Sequence, residues 1–212
     1  MELDETLVEQ LRQRFEGTNV RVVHGDVLAF SPGTLLAAGE ATAPYIVVGN
    51  LPFYIASAVV RRFLEGDVPP ERLVVMVQRE VADHMTAGPG RMTLLSVAVQ
   101  TYGEARRLFT IPPGAFRPPP KVHSTVVRID VAPELRVRLP RARLGDYFEV
   151  VRAGFSAPRK RIRNALAQGL GVDATHADAL LRRAGIDPRR RPAELSLDDW
   201  ASLTRAYREG SA

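Results

Sequence analysis

The sequence contains no cysteine. Disulfides, thiolate metal ligands and a cysteine nucleophile are thereby excluded. Histidine is scarce: His24, His84, His123 and His176 stand apart, with no H-x-x-x-H pair to begin a zinc site. Lysine is nearly absent. Only Lys121 and Lys160 occur among the 29 basic residues, a bias that GC-rich coding also produces. Long apolar runs are missing too. The longest, Tyr45 to Val60, is interrupted by Gly49, Asn50 and Pro52 and is too short to span a bilayer. The amino terminus, Met-Glu-Leu-Asp-Glu, lacks the apolar region of a signal peptide. Internal repeats and low-complexity tracts are lacking. The expectation is a cytoplasmic protein that uses no metal.

What is present suits a folded domain. Of 212 residues, 45% are hydrophobic and 25% charged, which provides for a real core and argues against disorder. The net charge of +5 is unevenly placed. Residues 1–130 hold 13 basic and 14 acidic side chains, whereas residues 131–212 hold 16 and 10. Codon bias does not explain that asymmetry. A basic carboxy-terminal third points to a polyanionic partner, most simply nucleic acid.

Leu3, Leu7, Val8, Leu11 and Phe15 recur at helical spacing and predict a helix over 4–15. Val20–Val23 reads as a short strand. Residues 30–43 read as loop with a short helix. Tyr45–Val48 and Leu73–Val77 are apolar, β-branched runs of the kind that form strands buried on both faces. Helices are expected near 55–65, 78–87 and 92–101, with strands over 105–111 and 122–131. This alternation predicts an α/β layer with a largely parallel sheet, its last two strands antiparallel at one edge. Beyond residue 140 the pattern is helical alone, near 144–154, 158–168, 174–184 and 196–208. A small all-helical domain therefore follows the α/β domain, with the partition at 1–135 and 136–212.

The chemistry concentrates at Asn50-Leu51-Pro52-Phe53, at the carboxyl end of a strand, where open α/β sheets hold ligands. The Asn50 side chain and the Leu51 carbonyl can accept both hydrogens of an exocyclic amine, with Pro52 stiffening the turn. The amine's lone pair then leaves conjugation and faces an electrophile. Phe53 can stack on the ring that bears the amine. An ordinary strand-to-helix turn would also carry Asn-x-Pro. Asp26 can accept from a ligand amine or hydroxyl, or can serve as a turn residue or helix cap. Phe116 lies in a proline-rich loop rigid enough to position an aromatic ring, or simply to cross into the last strand. Arg152, Arg159, Lys160, Arg161 and Arg163 fall in a stretch free of acids from Glu149 to Asp173. On one helix, Arg159 and Arg163 would share a face and track phosphates. A solvated helix face is the other reading. Ala87-Gly88-Pro89-Gly90 follows a helix and lacks the context of a phosphate loop. His123-Ser124 is no nucleophile pair, because adjacent strand residues face opposite ways.

Taken together, "VVGNLPFYIAS", "MVQREVADHMTAGPG", "LLSVAVQ", "LFTIPPGAFRPPPKVHSTVVRI", "FSAPRKRIRNAL" and "AGIDPRRRPAELSLDDW" cover nearly the whole chain. In that order they resemble the RsmA/KsgA family of small-subunit rRNA adenine N6,N6-dimethyltransferases, and more distantly the Erm enzymes. The resemblance implies a Rossmann-like class I methyltransferase sheet. It implies transfer of methyl groups from S-adenosylmethionine to N6 of two adjacent adenines in 16S rRNA of the 30S particle, by a monomer during ribosome biogenesis. Asn50, Leu51, Pro52 and Phe53 match the target-adenine motif, and Phe116 matches the aromatic that closes on the base. Glu2, Asp26 and Asn50 match cofactor contacts. Lys121 joins Arg152, Arg159, Lys160, Arg161 and Arg163 as an RNA contact. Phe53 replaces the commoner tyrosine, and His123 stands where aspartate is usual. The family's first strand and Glu-x-Gly-x-Gly-x-Gly-type loop have no counterpart here, so the chain is expected to be an amino-terminally truncated member. An Erm-like enzyme acting on 23S rRNA, or a non-catalytic rRNA-binding assembly module, remain open alternatives.

Overall fold

Local signals in the chain set most element boundaries. The computed structural model describes residues Met1–Glu209, so positions 210–212 of the expected helical domain lie outside the described residues. Asp4 caps α1 (Glu5–Arg14) by accepting from Leu7 N, and Ser31 caps α2 (Pro32–Ala38) by accepting from Thr34 N. Then come β1 (Ile46–Asn50), α3 (Ala56–Leu64) and β2 (Arg72–Gln78), followed by α4 (Arg79–Met85) and α5 (Leu94–Gln100). A Thr93–Ser96 capping box opens α5. Next are β3 (Gly103–Ile111), β4 (Ser124–Val131), α6 (Leu144–Gly154), α7 (Ile162–Leu170), α8 (Ala174–Arg183) and α9 (Leu197–Glu209).

The chain divides into two compact units. One holds Met1–Gln78 and Leu108–Val131; the other holds Arg79–Arg107 and the chain from Ala132 onward. Residues 79–107 thus cluster with the carboxy-terminal helices.

In the first unit the sheet order is β1-β2-β4-β3. β1 and β2 are parallel, with Asn50 opposite Met76, whereas β2 and β4 are antiparallel, with Met76 opposite Val126. The sheet is therefore mixed rather than largely parallel, while the last two strands, β3 and β4, are neighbours at one edge of it, as expected. One face is dry: Leu73, Val75, Val77, Val127 and Ile129 are all fully buried. Each such side chain contributes about 1.5–3 kcal/mol on burial. The other face is half-open and carries an Arg72–Asp130–Arg128 ion-pair cluster. The expectation of strands buried on both faces therefore fails. It fails most at β1, where Ile46 is 51% and Val48 78% exposed. The short strand over Val20–Val23 does not form either. Its neighbourhood makes a single parallel bridge, Glu2 with His24, held by Glu2 N to Val23 O and Gly25 N to Glu2 O. One bridge without a paired partner strand leaves the segment irregular.

Among the described residues the second unit is helical apart from the start of β3. Its core contains Tyr147, Val150, Ile162, Leu166, Leu181, Leu203 and Trp200, all fully buried. Trp200 packs against Phe155 at 5.3 Å between ring centroids. The helix expected from residue 158 begins only at Ile162. Residues 158–160 turn, and Arg161 is extended at the N-cap. Arg159 is therefore off the helix, and the shared face with Arg163 is not formed. Gly90 N and Met92 N both donate to Ala193 O, so the Gly88-Pro89-Gly90 loop serves packing.

Candidate active site

β1 runs out at Asn50, and its pairing with Met76 on β2 continues one residue further, with Leu51 N donating to Met76 O at 3.3 Å. The chain then turns. Pro52 O accepts from Ile55 N at 3.1 Å, and α3 follows. The turn leaves Asn50 exposed, Phe53 36% exposed and Tyr54 87% exposed.

The proline-rich loop faces this turn. A 3-10 turn over Pro113–Ala115 sets Phe116, whose N–H donates to Pro113 O. Phe116, Pro118 and Pro120 line a cleft of about 320 Å³ together with Asn50, Phe53 and Met76. The sequence motifs at 50–53 and 116 are thus brought together. Ser124, at the start of β4, also lines this cleft. Sequence reasoning treated it only as half of a dismissed nucleophile pair.

A second and larger cleft, about 890 Å³, borders the same turn. Glu2, Asp26 and Asn50 all line it, as do Leu51 and Pro52. Glu2 Oε1 accepts from Leu3 N at 2.8 Å and Asp4 N at 3.0 Å, which orients the carboxylate. Asp26 Oδ1 accepts from Leu28 N at 2.9 Å. Each carboxylate keeps a second oxygen for a ligand donor. Tyr45, on the same lining, donates from its hydroxyl to Val68 O at 2.6 Å, and burial together with Asp67 pushes its pKa up to about 12. The volume is that of a small-molecule or cofactor site. Two acidic side chains beside apolar strand residues suit a ligand with a hydroxylated sugar and a flat ring.

The basic residues occupy separate places. Lys121 is exposed just past the proline-rich loop, in the first unit. In the second unit Arg152 is exposed on α6, and Arg159, Lys160 and Arg161 are exposed between α6 and α7. Arg163 is half-buried and donates to Asn164 Oδ1 at 3.2 Å. Arg161 and Arg163 line a cleft of about 640 Å³ with Arg182 and Arg189. Those last two escaped the sequence reading because they lie in a later stretch that is rich in counter-charge. Arg182 pairs with Asp178 and Arg189 with Asp187.

A family model described as ribosomal RNA adenine dimethylase matches residues 1–209. The chain belongs to the ribosomal RNA adenine dimethylase family. Its relatives include a protein named ribosomal RNA small subunit methyltransferase A from Dehalococcoides mccartyi. The two are 44% identical over 210 residues, covering 99% of this chain and 70% of that one. A protein of the same name from Desulfitobacterium hafniense is 38% identical, covering 97% and 72%. Among solved structures, the 23S rRNA methyltransferase ErmE matches with a TM-score of 0.68 and 26% identity, covering 96% of this chain and 79% of that one. A Plasmodium falciparum dimethyladenosine transferase gives 0.74 at 17% identity, covering 99% and 81%, and so bears on the fold alone. As a ribosomal RNA adenine dimethylase, the chain is a methyltransferase with a Rossmann-like α/β fold. Among the described residues no helix is long and apolar enough to cross a membrane.

Proposed function

We propose that the chain transfers methyl groups from S-adenosylmethionine to N6 of two adjacent adenines in small-subunit (16S) rRNA. On this reading residues 1–135 form the methyl-transfer domain and residues 136–212 the RNA-binding domain of a cytoplasmic monomer that needs no metal. One observation carries the proposal. Asn50, Leu51 and Pro52 are a wall common to both clefts, the one with Phe53 and Phe116 and the one with Glu2 and Asp26.

The residues then take definite roles. Asn50 Oδ1 and the Leu51 carbonyl accept the two N6 hydrogens and turn the nitrogen lone pair out of conjugation. Pro52 holds the carbonyl in place. Phe53 and Phe116 clamp the base, and their ring faces favour the positive charge that grows on N6. Glu2 and Asp26 hold the cofactor's hydroxyl and amine donors. When bound, S-adenosylmethionine supplies an electrophilic methyl group. Positioning and electrostatics do most of the rest, because an alkylated N6 is itself acidic and needs no strong base. The adenine must leave its stack to enter the cleft. Lys121, Arg152, Arg159, Lys160, Arg161 and Arg163 contact the phosphates of the RNA.

The test incubates the chain and radiolabelled S-adenosylmethionine with undermethylated 30S or with 50S particles. Label is expected in 30S RNA as N6,N6-dimethyladenosine. Asn50→Ala should cut turnover about a hundredfold and weaken RNA binding by no more than about fivefold. Label confined to 50S particles would favour a large-subunit enzyme. RNA binding without label in either particle would favour a non-catalytic module. Wild-type turnover in Asn50→Ala would sink the role given to that residue.

A further inference from the structure

β4 opens on a hydroxyl that the fold leaves alone. Ser124 is 1% exposed, and among the described residues its Oγ has no hydrogen-bond partner. The other buried serine and threonine hydroxyls among the described residues are all paired. Ser96 Oγ donates to His84 O at 2.6 Å, Thr101 Oγ1 to Val97 O at 2.7 Å, and Thr204 Oγ1 to Trp200 O at 2.8 Å. Thr125 Oγ1 shares a hydrogen bond with Thr110 Oγ1 at 3.2 Å. An unpaired buried hydroxyl costs stability, so it calls for an explanation.

Sheet register supplies one. Asn50 is opposite Met76, and Met76 is opposite Val126, two residues along β4 from Ser124. Directly paired residues, and residues two apart on a strand, share a face. Asn50, Met76 and Ser124 therefore project from one face, at the carboxyl ends of β1 and β2. All three line the cleft of about 320 Å³. Among the described residues Asn50 and Ser124 are its only polar side chains; the remainder of the lining is leucine, proline, phenylalanine and methionine.

We infer that Ser124 is a specificity-determining residue whose hydroxyl donates to a ring nitrogen of the base seated in this cleft. The inference rests on the function proposed above. With N6 held at Asn50 and Leu51, the polar atoms left on adenine are N1, N3 and N7, all acceptors. Serine can donate to any one of them, and no other side chain of the cleft can do so except the Asn50 amide, whose oxygen is engaged with N6.

The experiment compares wild type with Ser124→Ala for binding, by fluorescence anisotropy, of a stem-loop RNA with an adenine pair in its loop. The same RNA is also prepared with 1-deaza-, 3-deaza- or 7-deazaadenine at the target position. Ser124→Ala is expected to weaken binding of the adenine RNA about fivefold. One of the three analogues is expected to weaken wild-type binding by a similar factor and to cost the variant nothing further. The melting temperature of Ser124→Ala should not fall, because no protein group depends on the hydroxyl. Equal affinities of variant and wild type, or a deaza penalty undiminished in the variant, would overturn the inference and leave the methyl-transfer reading standing. A lowered melting temperature with every analogue penalty intact would assign the hydroxyl to the fold instead. Failure of the wild type to bind any of the four RNAs would overturn both.

Discussion

At Asp67 several donors converge on one carboxylate. Ser31 Oγ donates to Oδ2 at 2.9 Å, while Gly33 N and Val68 N donate to Oδ1 at 3.1 and 3.0 Å. The Gly33 backbone, then Ser31, holds the carboxyl below its ordinary value of 3.8. A depressed folded-state pKa stabilises the protein above the unfolded value and loses that contribution as pH falls through the folded one. Acid unfolding followed by circular dichroism should therefore show a steeper loss of stability below about pH 4 than Asp67→Asn does. A profile unchanged by that substitution would remove Asp67 from the acid transition. Residues of this kind differ in how far sequence reveals them. Asn50 and Phe116 stand in distinctive strings, Asn-Leu-Pro-Phe and Phe-Arg-Pro-Pro-Pro-Lys. Ser124 follows a histidine in an ordinary strand, and its lack of a partner is visible only once every neighbour is placed.

Between elements, small residues govern how closely helices approach. Gly154 ends α6, and a Cβ there would collide with the ring of Trp200 and sit 3.1 Å from Ile162 Cδ1. Gly169 on α7 lies against the backbone of Ala153 on α6. Glycine-to-alanine changes in free helices usually stabilise by up to about 1 kcal/mol. Gly154→Ala should do the reverse and destabilise by about 1–3 kcal/mol, because the fully buried Trp200 cannot yield. Urea denaturation measures this directly, and a neutral or stabilising result would mean that α6 and α9 can separate at little cost. Elements also show where periodicity misleads. Val20–Val23 has the composition of a strand, but strand formation requires a partner, and composition does not supply one. Arg159 to Arg163 has helical spacing, yet the helix begins only after Arg161. Pro158 stands inside the turn, and proline disfavours a helix running through it.

For the molecule as a whole, charge is the property with the longest reach. The acid-free stretch from Glu149 to Asp173 leaves Arg152, Arg159, Lys160 and Arg161 exposed. Each phosphate contact made by such a cation releases a counterion. The slope of log affinity against log salt should then fall by roughly 0.7–0.9 for every contact removed. Changing these four residues to glutamine should flatten the salt dependence of RNA binding by up to about 3 and leave the melting temperature close to wild type. An unchanged slope would place the RNA elsewhere on the protein. The α/β class, the helical carboxy-terminal third, the basic stretch and the turn at Asn50 were all legible along the chain, because each depends on residues close in sequence. Sheet order, the open face of β1, the meeting of Phe53 with Phe116 and the solitary hydroxyl of Ser124 were not. They arise from pairings between residues tens of positions apart, and those follow from which surfaces pack against each other rather than from any local preference.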